Sequence, residues 1–221
     1  MNYKQIVAAA QAYVDRYDDE LRDTIPSFSR VVESKINTAL KVGQQSVRAL
    51  LHLEKGQEYY SLPSDFGGMR DIEIIHKGSA SIDHTNSTHP VGGHTMTYLS
   101  PEDMNRVRRG DSWRHRDYYY TVIAGQLQVS HSDADDLVEM VYYQLVPALI
   151  EEDDSNWLTN KHPDAYIFGL CAEMAAFAKD DAAFMAHDAR FKESLANITQ
   201  DDAVTRWSGP SLRVQIEGMV V

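Results

Sequence analysis

Cysteine is nearly missing from this sequence, with one residue, Cys171, among 221. A single thiol excludes an internal disulfide framework and any zinc module built on several cysteines. Long apolar runs are missing too. No stretch approaches the ~18 residues of a membrane-spanning helix, and the apolar start at Ile6 is broken by Gln11, Asp15 and Arg16, unlike a secretion signal. Positive charge is scarce, 21 Lys and Arg against 33 Asp and Glu, for a net charge of −12. A broad electrostatic grip on nucleic-acid phosphates is therefore disfavoured, and any contact with DNA has to be local or indirect. There is no Gly-x-Ser-x-Gly elbow and no phosphate-cradling glycine pattern, since Gly92 and Gly93 stand alone. These absences predict a soluble protein made in the cytoplasm, without membrane contact, as one large domain or two small ones.

What is present has a globular balance, 43% hydrophobic and 24% charged. Ile6, Ala9, Ala10, Tyr13, Val14, Tyr17 and Leu21 recur at helical spacing and predict one helix over 3–21. Pro26 among the hydroxyls of 24–29 reads as a turn and helix start. After it, Val32, Ile36, Ala39, Leu40, Val47, Leu50 and Leu51 resume the period and predict a second helix ending near Gly56, with Gly43 marking a close helix contact or a kink. From Gln57 the texture is β. Residues 69–76 read as a strand with Ile72 and Ile74 on one face, 77–94 as an exposed hairpin or loop, and 95–99 as a short strand. Ser100, Pro101, Glu102 and Asp103 form a helix start. Residues 118–124 and 126–130 flank Gly125 as a hairpin, and 138–143 is a further β run.

Helices return after Pro147. Tyr166, Ile167, Leu170, Cys171, Met174 and Phe177 form one stripe, and Phe184, His187, Phe191, Leu195 and Ile198 the next, up to Trp207. Past Ser208, Gly209 and Pro210, the alternation of Leu212, Val214 and Ile216 predicts an extended arm. The fold class expected is α+β: a helical bundle from 1–56 and 147–207, a central β-rich insertion domain over 57–146, and a C-terminal arm over 208–221. The bundle should bury Ile6, Tyr13, Val32, Ile36, Leu40, Ile167, Leu170 and Phe177, because each helix has one apolar stripe to cover.

Candidate chemistry is sparse. His84, His89 and His94 share one segment but lack the i, i+4 spacing or cysteine partner of a metal site, and they read as polar surface. Cys171 lies on an apolar stripe and reads as core. No residue set carries catalysis, metal or cofactor, so the expectation is a protein that is not an enzyme. One segment departs from the acidic background: Arg106, Arg108, Arg109, Arg114, His115 and Arg116 cluster around Trp113 and run into Tyr118, Tyr119 and Tyr120. A solvated face, a protein interface and a nucleic-acid contact all use such a composition. The acidic residues 151–154, with Asp201 and Asp202, offer a complement on a neighbouring copy, which would favour head-to-tail association.

Six blocks in order resemble the adaptor proteins of tailed bacteriophages, the head-completion or head-tail connector components. They are Leu62-Pro-Ser-Asp-Phe66, Met69-Arg-Asp-Ile72, Tyr98-Leu-Ser-Pro-Glu102, Tyr119-Tyr-Thr-Val-Ile-Ala-Gly-Gln-Leu127, Glu139-Met-Val-Tyr-Tyr143, and Trp157 with the helix over 163–179. One departure is Ser130, His131 and Ser132, where the family usually has prolines. The resemblance implies a structural virion protein at the head-tail junction. It would form a homo-oligomeric ring matching the twelve-fold portal, bind the portal protein above and a tail or nozzle protein below, and let DNA pass without specific binding. Separately, the segregation of positive charge predicts that Arg106, Arg108, Arg109, Trp113, Arg114 and Arg116 face a subunit or the tail. The portal-binding arm would be Leu212, Arg213, Val214, Ile216, Met219 and Val220. The alternative is a nucleic-acid-binding module using residues 106–120.

Overall fold

The computed structural model describes residues 1–75, 93–109, 118–130 and 136–207. Nearly all of the loop expected at 77–94, the segment around Trp113 and the arm lie outside these residues. Among the described residues are six α-helices and two four-stranded sheets, an α+β fold. The chain divides into two compact units: Met1–Gly43 with the chain from Val146 onward, and Gln44–Leu145 between them.

The first unit is helical. Asn2 and Gln5 form a reciprocal capping box at the start of α1 (Tyr3–Val14), and Asp15 ends that helix in the left-handed conformation, φ 49°. Asp18 caps α2 (Asp19–Ala39) by accepting from the Leu21 amide at 3.0 Å, with Asp19 and Glu20 in the first turn, where the helix dipole favours acids. The single helix expected over 3–21 is thus two, and Tyr13 and Tyr17 of its stripe are 56% and 58% exposed. The turn expected at 24–29 is also helix. Pro26 brings no amide to α2, yet the helix runs through it because Leu21, Ile25 and Ser29 on the same element are buried.

Two shorter steps and a long helix complete this unit: α4 (Trp157–Lys161), which the sequence reading missed, α5 (Pro163–Phe177) and α6 (Asp181–Trp207). Of the expected core, Ile6, Val32, Ile36, Leu40 and Leu170 are buried, and Ile167 packs half-buried beside them. Tyr13 and Phe177 do not belong to it; Phe177 is 37% exposed and meets Phe28 ring to ring at 5.7 Å. Gly169 sets the spacing of the helices, since a Cβ there would stand 2.6 Å from Val32 and 3.3 Å from Phe191. Two buried polar side chains are paired inside. The Glu33 carboxylate accepts from the Leu149 amide at 2.7 Å, and Asn156 donates to the Tyr166 hydroxyl at 3.0 Å and to the Pro147 carbonyl at 2.8 Å.

The second unit corrects the helix expected to reach Gly56. Leu40 leaves α2 in extended geometry, a 3₁₀ turn spans Gly43–Gln45, and β1 (Ser46–His52) follows. Val47, Ala49 and Leu51 turn inward while Leu50 is 57% exposed, a period of two that the apolar count alone mistook for helix. β1 pairs antiparallel with β8 (Leu137–Gln144), and the sheet continues through β3 (Phe66–Ile75) to β4 (His94–Thr95). The second sheet runs β2 (Tyr59–Ser61), β7 (Gln126–Val129), β6 (Tyr119–Ile123), β5 (Thr97–Tyr98), with β5 and β6 parallel. The strand expected at 95–99 is therefore split between two sheets around buried Met96. Ala124 and Gly125 both have positive φ, 49° and 77°, the geometry of a two-residue hairpin turn. Tyr60, Ile72, Ile74, Leu127, Val138, Met140 and Tyr142, drawn from both sheets, form the core of this unit.

Candidate interaction surfaces

The basic segment begins on α3 (Pro101–Arg108), which starts where expected: Ser100 accepts from the Asp103 amide at 3.2 Å and Pro101 takes the first position. Its cations gather at the C-terminal end, where they complement the dipole. Two of them are engaged within the chain. Arg106 meets Asp103 at 3.0 Å one turn back. Arg108 reaches Glu58 at 2.9 Å, and the Tyr59 hydroxyl beside it accepts from Gln128 at 3.2 Å, so this arginine fastens α3 to β2. Arg109 is the exposed cap residue. Trp113, Arg114 and Arg116 lie outside the described residues, as do Leu212, Arg213, Val214, Ile216, Met219 and Val220 of the arm.

The acidic residues considered as a complement are in part occupied locally. Glu152 pairs with Lys4 at 2.7 Å, and Asp202 holds Arg206 and accepts from the Gly43 amide at 2.7 Å. Asp154 accepts from the Glu151 and Ile150 amides, which hold its carboxyl below the usual range. Gly43 does mark a close approach, but to α6: a Cβ on it would lie 2.9 Å from Asp202.

Two of the sequence blocks are joined in one structural clamp. Asp65 of the Leu62-to-Phe66 block accepts from the Tyr142 hydroxyl at 3.1 Å and the Gln144 amide group at 2.7 Å, while its carbonyl accepts from the Leu145 amide. Phe66 and Tyr142 lie ring to ring at 5.6 Å. Burial, and then Asp65, push the Tyr142 hydroxyl up. The spacing of these blocks gave no hint of their contact, because strand partners are distant in sequence.

His94 sits in β4 stacked on Tyr118 at 5.7 Å, while His84 and His89 lie outside the described residues. Among the described residues no three His, Cys, Asp or Glu converge on a metal position, and no helix is long and apolar enough to cross a membrane. Cys171 is fully buried, and burial pushes its thiol up to about 12, where it is neither nucleophile nor ligand at neutral pH. One feature went unseen in the sequence: a groove of about 390 Å³ between α1 and α2, lined by Val7, Ala8, Ile25 and Pro26 with Lys4, Arg22 and Glu152 at its ends.

The described residues thus form a two-unit α+β protein in which Asp65 of one sequence block is held by Tyr142 of another. The chain belongs to the family described as SU10 adaptor protein, which it matches over residues 1–215. That membership makes it a phage adaptor protein, a structural component of the virion. No curated protein matches it.

Proposed function

We propose that copies of this chain form a ring beneath the portal of the phage head, join it to the tail or nozzle protein below, and continue the channel for DNA. The family match over residues 1–215 carries this reading, because it spans both helical segments, the β-rich unit and the start of the arm. The net charge of −12 supports it: a wall that repels phosphates lets a duplex slide past. Since Arg106 and Arg108 are engaged within the chain, Arg109 and the neighbouring Trp113, Arg114 and Arg116 are the residues proposed to face another subunit or the tail. The arm, through Leu212, Arg213, Val214, Ile216, Met219 and Val220, is proposed to reach the portal.

Mass photometry with and without portal protein tests the reading. Rings should form on the portal, and Arg109→Glu with Arg114→Glu should weaken ring formation or tail docking while leaving the melting temperature in place. Tight binding of duplex DNA at physiological salt, abolished by the same two changes, would instead favour a nucleic-acid-binding module.

A further inference from the structure

The α1–α2 groove has a length, a floor and two charged ends. The helices run in opposite directions, for they are joined through residues 15–18 and the Tyr3 hydroxyl meets Ser29 at 2.9 Å. Glu152 with Lys4 stands at the Tyr3 end, and Arg22 stands at the Gln11 end. Arg22 pairs with Asp19 at 3.1 Å, but Asp19 takes no part in lining the groove, so this end presents a cation. From Tyr3 to Gln11 the helix rises about 12 Å.

The arm carries a segment of matching dimensions. Leu212, Val214 and Ile216 alternate with Arg213, Gln215 and Glu217. In extended chain the three apolar side chains share one face, and Arg213 and Glu217 stand on the other about 13 Å apart. Laid in the groove with its apolar face against Val7, Ala8, Ile25 and Pro26, the segment sets Arg213 at Glu152 and Glu217 at Arg22. The reverse direction would set Arg213 beside Arg22; Glu152 is already paired with Lys4, so the charge preference for this polarity comes from the Arg22 end.

The arm of the same chain falls short of this position. Val32 of α2 and Phe191 of α6 both approach Gly169 of α5, and the Gly43 amide just past α2 donates to Asp202 at 2.7 Å further along α6, so α6 and α2 run in the same sense on α5. Trp207 therefore lies about 24 Å beyond the level of Val32, whereas Ser29 lies about 5 Å on its other side. The six residues from Trp207 to Arg213 span at most about 20–22 Å when fully extended. Their reach is less than the roughly 28 Å required.

We propose that residues 212–217 of one copy lie in the α1–α2 groove of the next copy. The contact joins unlike patches of two molecules, so its repetition is head-to-tail and closes a ring where the rotation allows. This rests on the ring proposed above and reassigns Leu212, Arg213, Val214 and Ile216 from the portal to the neighbouring copy, leaving Met219 and Val220 for the portal.

A fluorescent peptide of residues 208–221, titrated into the intact protein at low concentration, tests the contact. It should bind saturably. Ala8→Arg, which fills the groove from an exposed position, should weaken binding about tenfold or more, and Arg22→Glu about threefold to tenfold. A peptide with Glu217→Arg should recover affinity for the Arg22→Glu protein. No saturable binding up to ~1 mM, or equal binding by both variants, overturns the proposal. Rings on the portal despite a failed titration would leave the ring reading standing and remove this contact; a successful titration without rings would do the opposite.

Discussion

The helical unit and the β-rich unit of this protein hold together by different means. In the first, the buried set is Ile6, Val32, Ile36, Leu40, Tyr166, Leu170, Phe191 and their neighbours, nineteen residues of which fifteen lie on helices that each form from local sequence. In the second, eight of the ten buried residues come from strands whose partners lie far along the chain, and a polar clamp on Asp65 ties the start of β3 to the end of β8. A helix is set by its own periodicity and caps, and packing then needs only to cover a stripe. A sheet gains nothing until distant strands meet, so register devices carry more of its definition.

The largest loss is expected in the larger core. Leu170→Ala removes a fully buried side chain of α5, the helix that contacts α1, α2 and α6, and should cost about 2–5 kcal/mol in a denaturant melt. Hydrogen exchange should quicken first in the amides of the helical unit. Acceleration that begins in β3 and β8 instead would mean that the two units do not own their cores separately.

Asp65→Ala addresses the other unit and should cost about 1.5–3 kcal/mol, because it strips a charged acceptor from the buried Tyr142 hydroxyl and from Gln144. Asp65→Asn keeps one acceptor and should recover part of the loss. If both variants melt like the parent, Phe66 and the ladder define this corner without the clamp.

Gly169→Ala should invert a familiar rule. Alanine in a helix interior normally gains about 1 kcal/mol over glycine, but here the added methyl would stand 2.6 Å from Val32, and crowding of that kind costs about 1–3 kcal/mol. Val32→Ala in the same chain should relieve part of the cost, which a double-mutant cycle measures. Additive effects would place the strain elsewhere.

How far the sequence disclosed this structure follows the same divide. Ser100 with Pro101, Gly125 and Pro163 all act where they stand, because caps and turns are local chemistry. The stripe from Val47 to Leu51 was ambiguous for the opposite reason: three apolar residues fit either period, and the strand partner that decides between them lies on β8. At Asp15 to Asp19 the cap signal was present, but an apolar coincidence at Tyr17 hid it. The cluster at Arg106 and Arg108 was legible as charge, whereas its engagement with Asp103 and Glu58 depends on how α3 and β2 pack.

The smallest effect expected separates packing from charge inside the helical unit. Glu33 is 8% exposed, and burial raises its carboxyl above the ordinary value of 4.5, against the opposing pull of the Leu149 amide and of Arg30. A folded state that holds this proton more tightly than the unfolded chain is favoured below the ordinary value, and that contribution is lost as pH rises through the raised one. Ionising Glu33 inside the folded unit therefore costs stability. Glu33→Gln keeps an oxygen for the Leu149 amide and removes the charge, so its denaturant midpoint should equal or exceed the parent's at about pH 7, and the difference should vanish at about pH 4, where the parent is protonated. Glu33→Ala removes the acceptor as well and should lose about 1–3 kcal/mol at both pH values. A Gln variant that is weaker than the parent at neutral pH and matches it in acid would show that the negative charge itself holds the segment after Val146, making Glu33 an electrostatic anchor rather than a tolerated cost of packing.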